Sequence, residues 1–307
     1  MARGSRRGPA RAVAAALADT GAWQRQRHAS RRWALWGAAA GGLLGLLLAA
    51  PASWLGQALA DATRQRLLLA DARGTVWSGS AVLVLTGGAG SRDAAALPGR
   101  LSWTLRPSGL GLRLLAEQAC CINGMLDLRW SADWGGYTVA LAGTAPAAAA
   151  GAAAGAGTTA ALGQWPAAWL VGLGAPFNTL GIGGLLQARS DGLQWQSVAG
   201  RVRVRGGLQL DLMDTSSRIA TLPVLGHYRL QLRGQPPTAA AAADDSATVQ
   251  LQTLSGALQL SGDGQWTAGG LRFRGQAEAA PGQDAALSNL LNIIGRRQGA
   301  LSRISIG

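Results

Sequence analysis

From Leu101 to the C-terminus the chain alternates apolar and polar residues with a period of two. LSWTL puts Leu101, Trp103 and Leu105 on one face, LDLRW does so with Leu126, Leu128 and Trp130, and YTVAL with Tyr137, Val139 and Leu141. RVRVR, YRLQLR, VQLQ, ALQL and LRFR repeat the device, with Arg201, Arg203 and Arg205 facing away from Val202 and Val204. About ten such runs, separated by Gly, Asp-Gly or Pro, predict a mainly β protein built as an extended antiparallel sheet or sandwich. Gly99, Gly200 and Gly256 each open a Gly-x-apolar-x-apolar start, and Gly206 and Gly262 close the last two. Glycines at strand ends permit bulges and sharp bends, so the expected sheet is curved, with Gly-punctuated hairpins.

One segment has a different pattern. WALWGAAAGGLLGLLLAAPA, Trp33 to Ala52, carries no charge and has the roughly twenty residues that a helix needs to cross the hydrocarbon core. It predicts a single N-terminal transmembrane anchor over 33–55, flanked by Trp33, Trp36 and Trp54 at the interfaces. The competing expectation is a signal peptide cleaved near Ala58-Leu59-Ala60, which the length of both the charged and the apolar region opposes. Gly37, Gly41 and Gly45 recur every four residues and would share one helix face, a helix-pairing surface toward a second copy or another membrane protein; the alternative is coincidence in a Gly-rich chain.

Composition then divides the chain. Residues 1–32 hold eight arginines against Asp19 alone, which by the positive-inside bias puts an Arg-rich tail in the cytoplasm and everything after the anchor outside. The net charge of +13 is therefore uneven, with twenty arginines against fourteen acids in the remainder. A cytoplasmic basic tail suits anionic lipid headgroups, and nucleic acid is not an expected partner. The stretch 145–163, APAAAAGAAAGAGTTAALG, has neither charge nor periodicity and reads as a linker between a first β half, 56–144, and a second, 164–307. PPTAAAAADDS, 236–246, reads as a long hairpin loop, and a short helix is expected around Trp165 to Leu173, stopped by Gly174 and Pro176.

Three stretches together resemble the protein N family of the type II, or general, secretion system: GLGAPFNTLGIGG, MDTSSRIATLPVLGHYRLQLRG and LSGALQLSGDGQWTAGGLRFRGQAEA. GTVWSGSA and LPGRLSWTLRP agree with it. The residues that carry the resemblance include Gly172, Pro176, Asn178, Thr179, Leu180, Ser217, Arg218, Leu225, Gly226 and Tyr228. The resemblance implies a bitopic protein of the bacterial inner membrane with a periplasmic β-rich part. It further implies an accessory role in moving folded proteins across the outer membrane, other secretion-system subunits as partners, no cofactor and no catalytic residues. This chain departs from the pattern by its Arg-rich tail and its Ala/Gly insertion.

The residues themselves offer little catalytic material. The two histidines, His28 and His227, are separated by the apolar segment, so a His-based triad or metal cluster is not expected. Asp127 with Asp133, or Asp211 with Asp214, could form an acid pair, but each reads as a turn or solvated-face residue beside an alternating run. Cys120 and Cys121 are the whole cysteine content: they could form a strained vicinal bridge, bridge to a partner or second copy, or pack as small apolar thiols. Two functions follow as expectations. One is an assembly protein docking through strand edges and aromatic anchors such as Trp77, Trp103, Trp195 and Trp266. The other, similar at the level of fold to AsmA-type periplasmic bridge proteins, is lipid binding or transfer in an apolar groove, since a groove lining and a core face share one period.

Overall fold

A computed structural model describes residues 33–145, 160–198, 201–234, 247–267 and 270–307. The chain forms two units that divide at Ala50 and Pro51. In the first, residues 33–48 are helical (α1), and their large apolar side chains, Trp33, Trp36 and Leu48 among them, are exposed. Among the described residues no helix is long and apolar enough to cross a membrane. The predicted helix over 33–55 is interrupted because Pro51 is extended, with φ −70° and ψ 148°, and cannot donate a helical N–H. Trp54 and Leu55 belong to a separate helix, α2 (Ala52–Ala62), whose Ala52 and Leu55 pack with Leu69, Ala81 and Trp103.

The second unit, Pro51–Gly307, is mainly β: two antiparallel sheets of nine strands each. The first sheet takes β1 (Leu67–Gly74), β2 (Ser78–Thr86), β3 (Ala94–Ala96), β4 (Leu101–Ser108), β5 (Gly111–Glu117), β6 (Met125–Asp133) and β7 (Gly136–Ala145). The chain then enters the second sheet with β8 (Ala160–Pro166) and β9 (Ile182–Ser190), and returns to extend the first sheet beyond β7 with β10 (Gln194–Val198) and β11 (Arg201–Arg205). β12 (Gly207–Ser217), β13 (Gly226–Arg233), β14 (Ala247–Gly256), β15 (Leu258–Thr267), β16 (Gly270–Ala279), β17 (Arg296–Gln298) and β18 (Leu301–Ile306) complete the second sheet, in the order β17-β18-β16-β15-β14-β13-β12-β9-β8. One two-stranded ribbon thus serves both sheets: its base, β9 with β12, lies in the second and its tip, β10 with β11, in the first. At the bend Ser190 is buried, its Oγ donating to the Gly207 carbonyl at 3.1 Å and accepting from the Leu193 N–H at 3.1 Å.

Register explains the alternation. Across the first sheet Leu112, Trp130, Val139, Trp195 and Val204 are successive partners, while Arg106, Arg113, Arg129, Ala140, Gln194 and Arg205 form the matching row on the other face. In the second sheet Leu210, Leu230, Leu251, Gly262, Gly275 and Ile304 align, against Asp211, Arg229, Gln252, Ser261, Gln276 and Arg303 opposite. Each sheet is therefore apolar on one face and polar on the other. The apolar face of the second sheet is covered at one end by α4 (Asp284–Ile294), whose Leu287, Leu290 and Leu291 are buried among Leu225, Tyr228, Leu258 and Ala277.

Several sequence readings change. The described residues hold eighteen strands rather than about ten; β1, β8 and β9 are among the additional ones, Ala-, Leu- or Gly-rich runs without clean alternation. Residues 146–159 and 236–246 lie outside the described residues, but Ala160–Gly163, read as the end of a linker, pair with β9 as part of β8. Gly262 does not close a strand: β15 runs through it, and the Phe273 ring occupies the space where its side chain would stand. The helix expected at Trp165 to Leu173 is a 3-10 helix over Ala167–Leu173, capped by Gly174.

Candidate docking site

The stretch 167–181 connects β8 to β9 and carries the first group of motif residues. After the 3-10 helix the Ala175–Pro176 bond is cis, and a short helix α3 (Phe177–Leu180) ends at Gly181 in the left-handed conformation. This connection, rooted in the second sheet, clasps the first. Trp169 Nε1 donates to the Ala95 carbonyl at 3.0 Å, and Asn178 Nδ2 donates to Asp93 Oδ2 at 3.0 Å. Gly172 is buried so close to the backbone of Leu85 and Ala95 that a Cβ would overlap both. Pro176 and Thr179 stand exposed on the outer side.

The second group meets the first at Leu180. Its carbonyl accepts the Ser217 hydroxyl at 2.5 Å and the Arg218 N–H at 3.2 Å. Leu225 donates its N–H to the Thr215 carbonyl at 2.6 Å and accepts from the Leu258 N–H at 3.0 Å, and the buried Tyr228 hydroxyl donates to the Leu258 carbonyl at 3.0 Å. Burial pushes the Tyr228 phenol well above its ordinary range, so it acts as a neutral donor. Gly226 lies beneath this bond, against the Ser255 carbonyl. Leu180, Ser217, Arg218, Leu225, Gly226 and Tyr228 therefore meet at one junction, closed by α4: Leu180, Leu225 and Tyr228 share a core with Leu287, Leu290 and Leu291, while Gly172 and Asn178 face the first sheet. Gly37, Gly41 and Gly45 belong to α1 in the other unit, where nothing stands within 4 Å of their Cβ positions.

Cys120 and Cys121 form a vicinal disulfide, with Cα atoms 3.7 Å apart, in the β5–β6 connection. The same connection pairs with the edge of β8: Gln164 N–H donates to the Cys121 carbonyl at 2.7 Å and Asn123 N–H to the Leu162 carbonyl at 3.0 Å. Of the four aromatic candidates, Trp103 is core, its Nε1 bonded to the Val76 carbonyl at 3.1 Å, and Trp77 is half-buried. Trp195 and Trp266 meet edge to face across the two sheets, their ring centroids 5.8 Å apart.

Of the four acids read as turn or solvated-face residues, Asp133 and Asp214 are exposed but Asp127 and Asp211 are not. Asp127 accepts from Arg113 at 3.0 and 2.9 Å and from Arg129 at 3.3 and 3.0 Å; Asp211 accepts from Arg229 at 2.7 and 3.0 Å and from Gln209 at 2.9 Å. Both are buried, so neither forms an acid pair with Asp133 or Asp214, both of which are exposed. The signal was a basic residue two positions away on the same face, Asp127 with Arg129, but the gripping Arg113 and Arg229 come from neighbouring strands. Burial raises each carboxyl, and the arginine hydrogen bonds outweigh it, holding both below the usual 3.8. Because the folded value lies below the unfolded one, the stabilisation is complete above about pH 4 and is lost as pH falls through the folded values. Thermal unfolding of the wild type should therefore shift down steeply below about pH 4, and the double variant Asp127→Asn, Asp211→Asn should start lower and show a flatter acid limb. An equally steep limb in the variant would assign the acid sensitivity to other carboxylates.

Among the described residues no group of His, Cys, Asp and Glu could hold a metal ion. Comparison with curated proteins and with solved structures finds no match. The family model for type II secretion system (T2SS), protein N, matches residues 65–303, from just before β1 into β18, and includes every motif residue. The chain therefore belongs to the type II secretion system protein N family.

Proposed function

We propose that the chain is a non-enzymatic accessory or assembly component of the type II secretion system in the bacterial inner membrane. In this reading α1 is part of a single anchor with the N-terminus in the cytoplasm, and the unit Pro51–Gly307 works in the periplasm, docking on other subunits as folded proteins are exported. The observation that carries it is the extent of the family match, which takes in both sheets and the junction between them, so that the family's role attaches to the whole β unit. The glycine face of α1 suits close approach of a second helix, from another subunit or a second copy.

A second reading, lipid binding, is favoured by one observation: the apolar rows of the two sheets are linked through the shared ribbon, and Leu105, Leu112, Leu128 and Val139 are only half-buried. Crosslinking the full-length protein in native membranes, then identifying captured proteins and lipids by mass spectrometry, separates the two. Other secretion subunits at near-stoichiometric yield are the expected result. Stoichiometric phospholipid without those subunits would replace assembly by lipid handling.

A further inference from the structure

The hairpin turns at one end of the first sheet carry unusual residues. β4 joins β5 through Gly109-Leu110, and β6 joins β7 through Trp134-Gly135. Two-residue turns call for residues that accept positive φ, and Gly109 at 59° and Gly135 at 85° supply them. Nothing in the turns calls for leucine or tryptophan. Yet Leu110 is 86% exposed and Trp134 is 100% exposed. The two turns are neighbours, the Leu110 carbonyl accepting the Ala132 N–H at 3.4 Å, and Tyr137 at the start of β7 is exposed beside them.

Register places two further features at this end. Ser78 pairs with Thr104 and Gly79 with Trp103, so the β1–β2 turn lies at the same end of the sheet as Leu110 and Trp134. Pro51, through which the chain enters the unit from the apolar α1 segment, bridges Thr75 in that turn. Arg201 starts β11 opposite Val198, itself opposite Gly136, and Arg106 precedes the β4–β5 turn; both arginines are exposed. Exposed Trp, Tyr and Leu with arginines alongside match the membrane–water interface, where indole rings settle at headgroup depth and guanidinium groups meet anionic lipid.

We propose that the Leu110 and Trp134 hairpin tips insert into the surface of the lipid bilayer. The β unit then stands on the membrane at the end where its chain enters, with Arg106 and Arg201 on anionic headgroups. This rests on the reading of α1 as part of an anchor, and the test separates the two. Full-length Leu110→Cys, Trp134→Cys, Ala89→Cys and Leu43→Cys variants would each carry an environment-sensitive fluorophore in vesicles of phosphatidylethanolamine and phosphatidylglycerol. Ala89 is exposed in the β2–β3 loop at the opposite end of the sheet.

Labels at 110, 134 and 43 should emit several-fold more strongly than the label at 89 and resist a water-soluble quencher. If 110 and 134 quench as readily as 89 while 43 is protected, the tip contact is overturned and the anchor stands. If 43 quenches while 134 is protected, the anchor reading falls and the tip contact stands. Protection at 134 that appears only when other secretion subunits are present, and not in lipid vesicles alone, would overturn the lipid assignment in favour of a protein partner.

Discussion

Leu290→Ala should destabilise the β unit by about 2–5 kcal/mol, because Leu290 is 1% exposed at the centre of the α4 core and its removal leaves a cavity. The three buried leucines of α4 cover the apolar face beneath Leu258, Ala277 and Tyr228, and Ser302 Oγ ties β18 to the Leu291 carbonyl at 2.7 Å. α4 therefore cannot slide to fill the gap without breaking that bond. Denaturant unfolding of the full-length protein in detergent, compared with Ile293→Ala on the exposed side of the same helix, measures it. Equal losses for the two variants would mean that α4 does not cover the core. Under the proposed assembly role, recovery of crosslinked partners should also fall with Leu290→Ala.

Gly172→Ala should cost about 1–3 kcal/mol, and more if the backbone cannot yield, through overpacking rather than a void. The added methyl would meet the Leu85 carbonyl and the Ala95 backbone, neither of which is a flexible side-chain end. Relief requires the 3-10 helix to lift from β2 and β3, and lifting breaks the Trp169–Ala95 and Asn178–Asp93 hydrogen bonds. Hydrogen exchange should show the Ala95 and Leu97 amides losing protection while those of β13 and β14 keep theirs. Uniform loss across both sheets would show that the clasp is not a separable element.

The fold class was legible because the strand period is the simplest signal a sequence carries. RVRVR and YRLQLR declare one wet and one dry face, and β11 and β13 lie where those runs stand. What escaped was everything that depends on which strand lies beside which. Leu126, Leu128 and Trp130 do share a face, but the most buried residue of β6 is Asp127 on the other one, since Arg113 of β5 and Arg129 cover it. A single strand cannot reveal that. The break at Pro51 was readable from the residue itself, yet the apolar run suggested continuity; the proline ring, rather than mean hydropathy, decided where α1 ends and α2 begins. The family motif located the junction residues without showing why they matter. Ser217 donates to the Leu180 carbonyl and Tyr228 to the Leu258 carbonyl, and no side-chain pattern encodes a backbone acceptor.

The ribbon shared by the two sheets carries a consequence for how the chain is made. β7 gains its outer neighbour only when Trp195 pairs with Val139, and Trp195 leaves the ribosome long after β1 to β7 are complete. Until then the stretch of β7 that β10 later covers, Gly136 to Ala140, presents unpaired N–H and carbonyl groups to any extended chain nearby. A nascent chain is therefore most prone to aggregate in the interval between the emergence of β7 and of β10. Truncation after β7 should leave that edge permanently open, whereas a chain that continues through β11 carries its own cap.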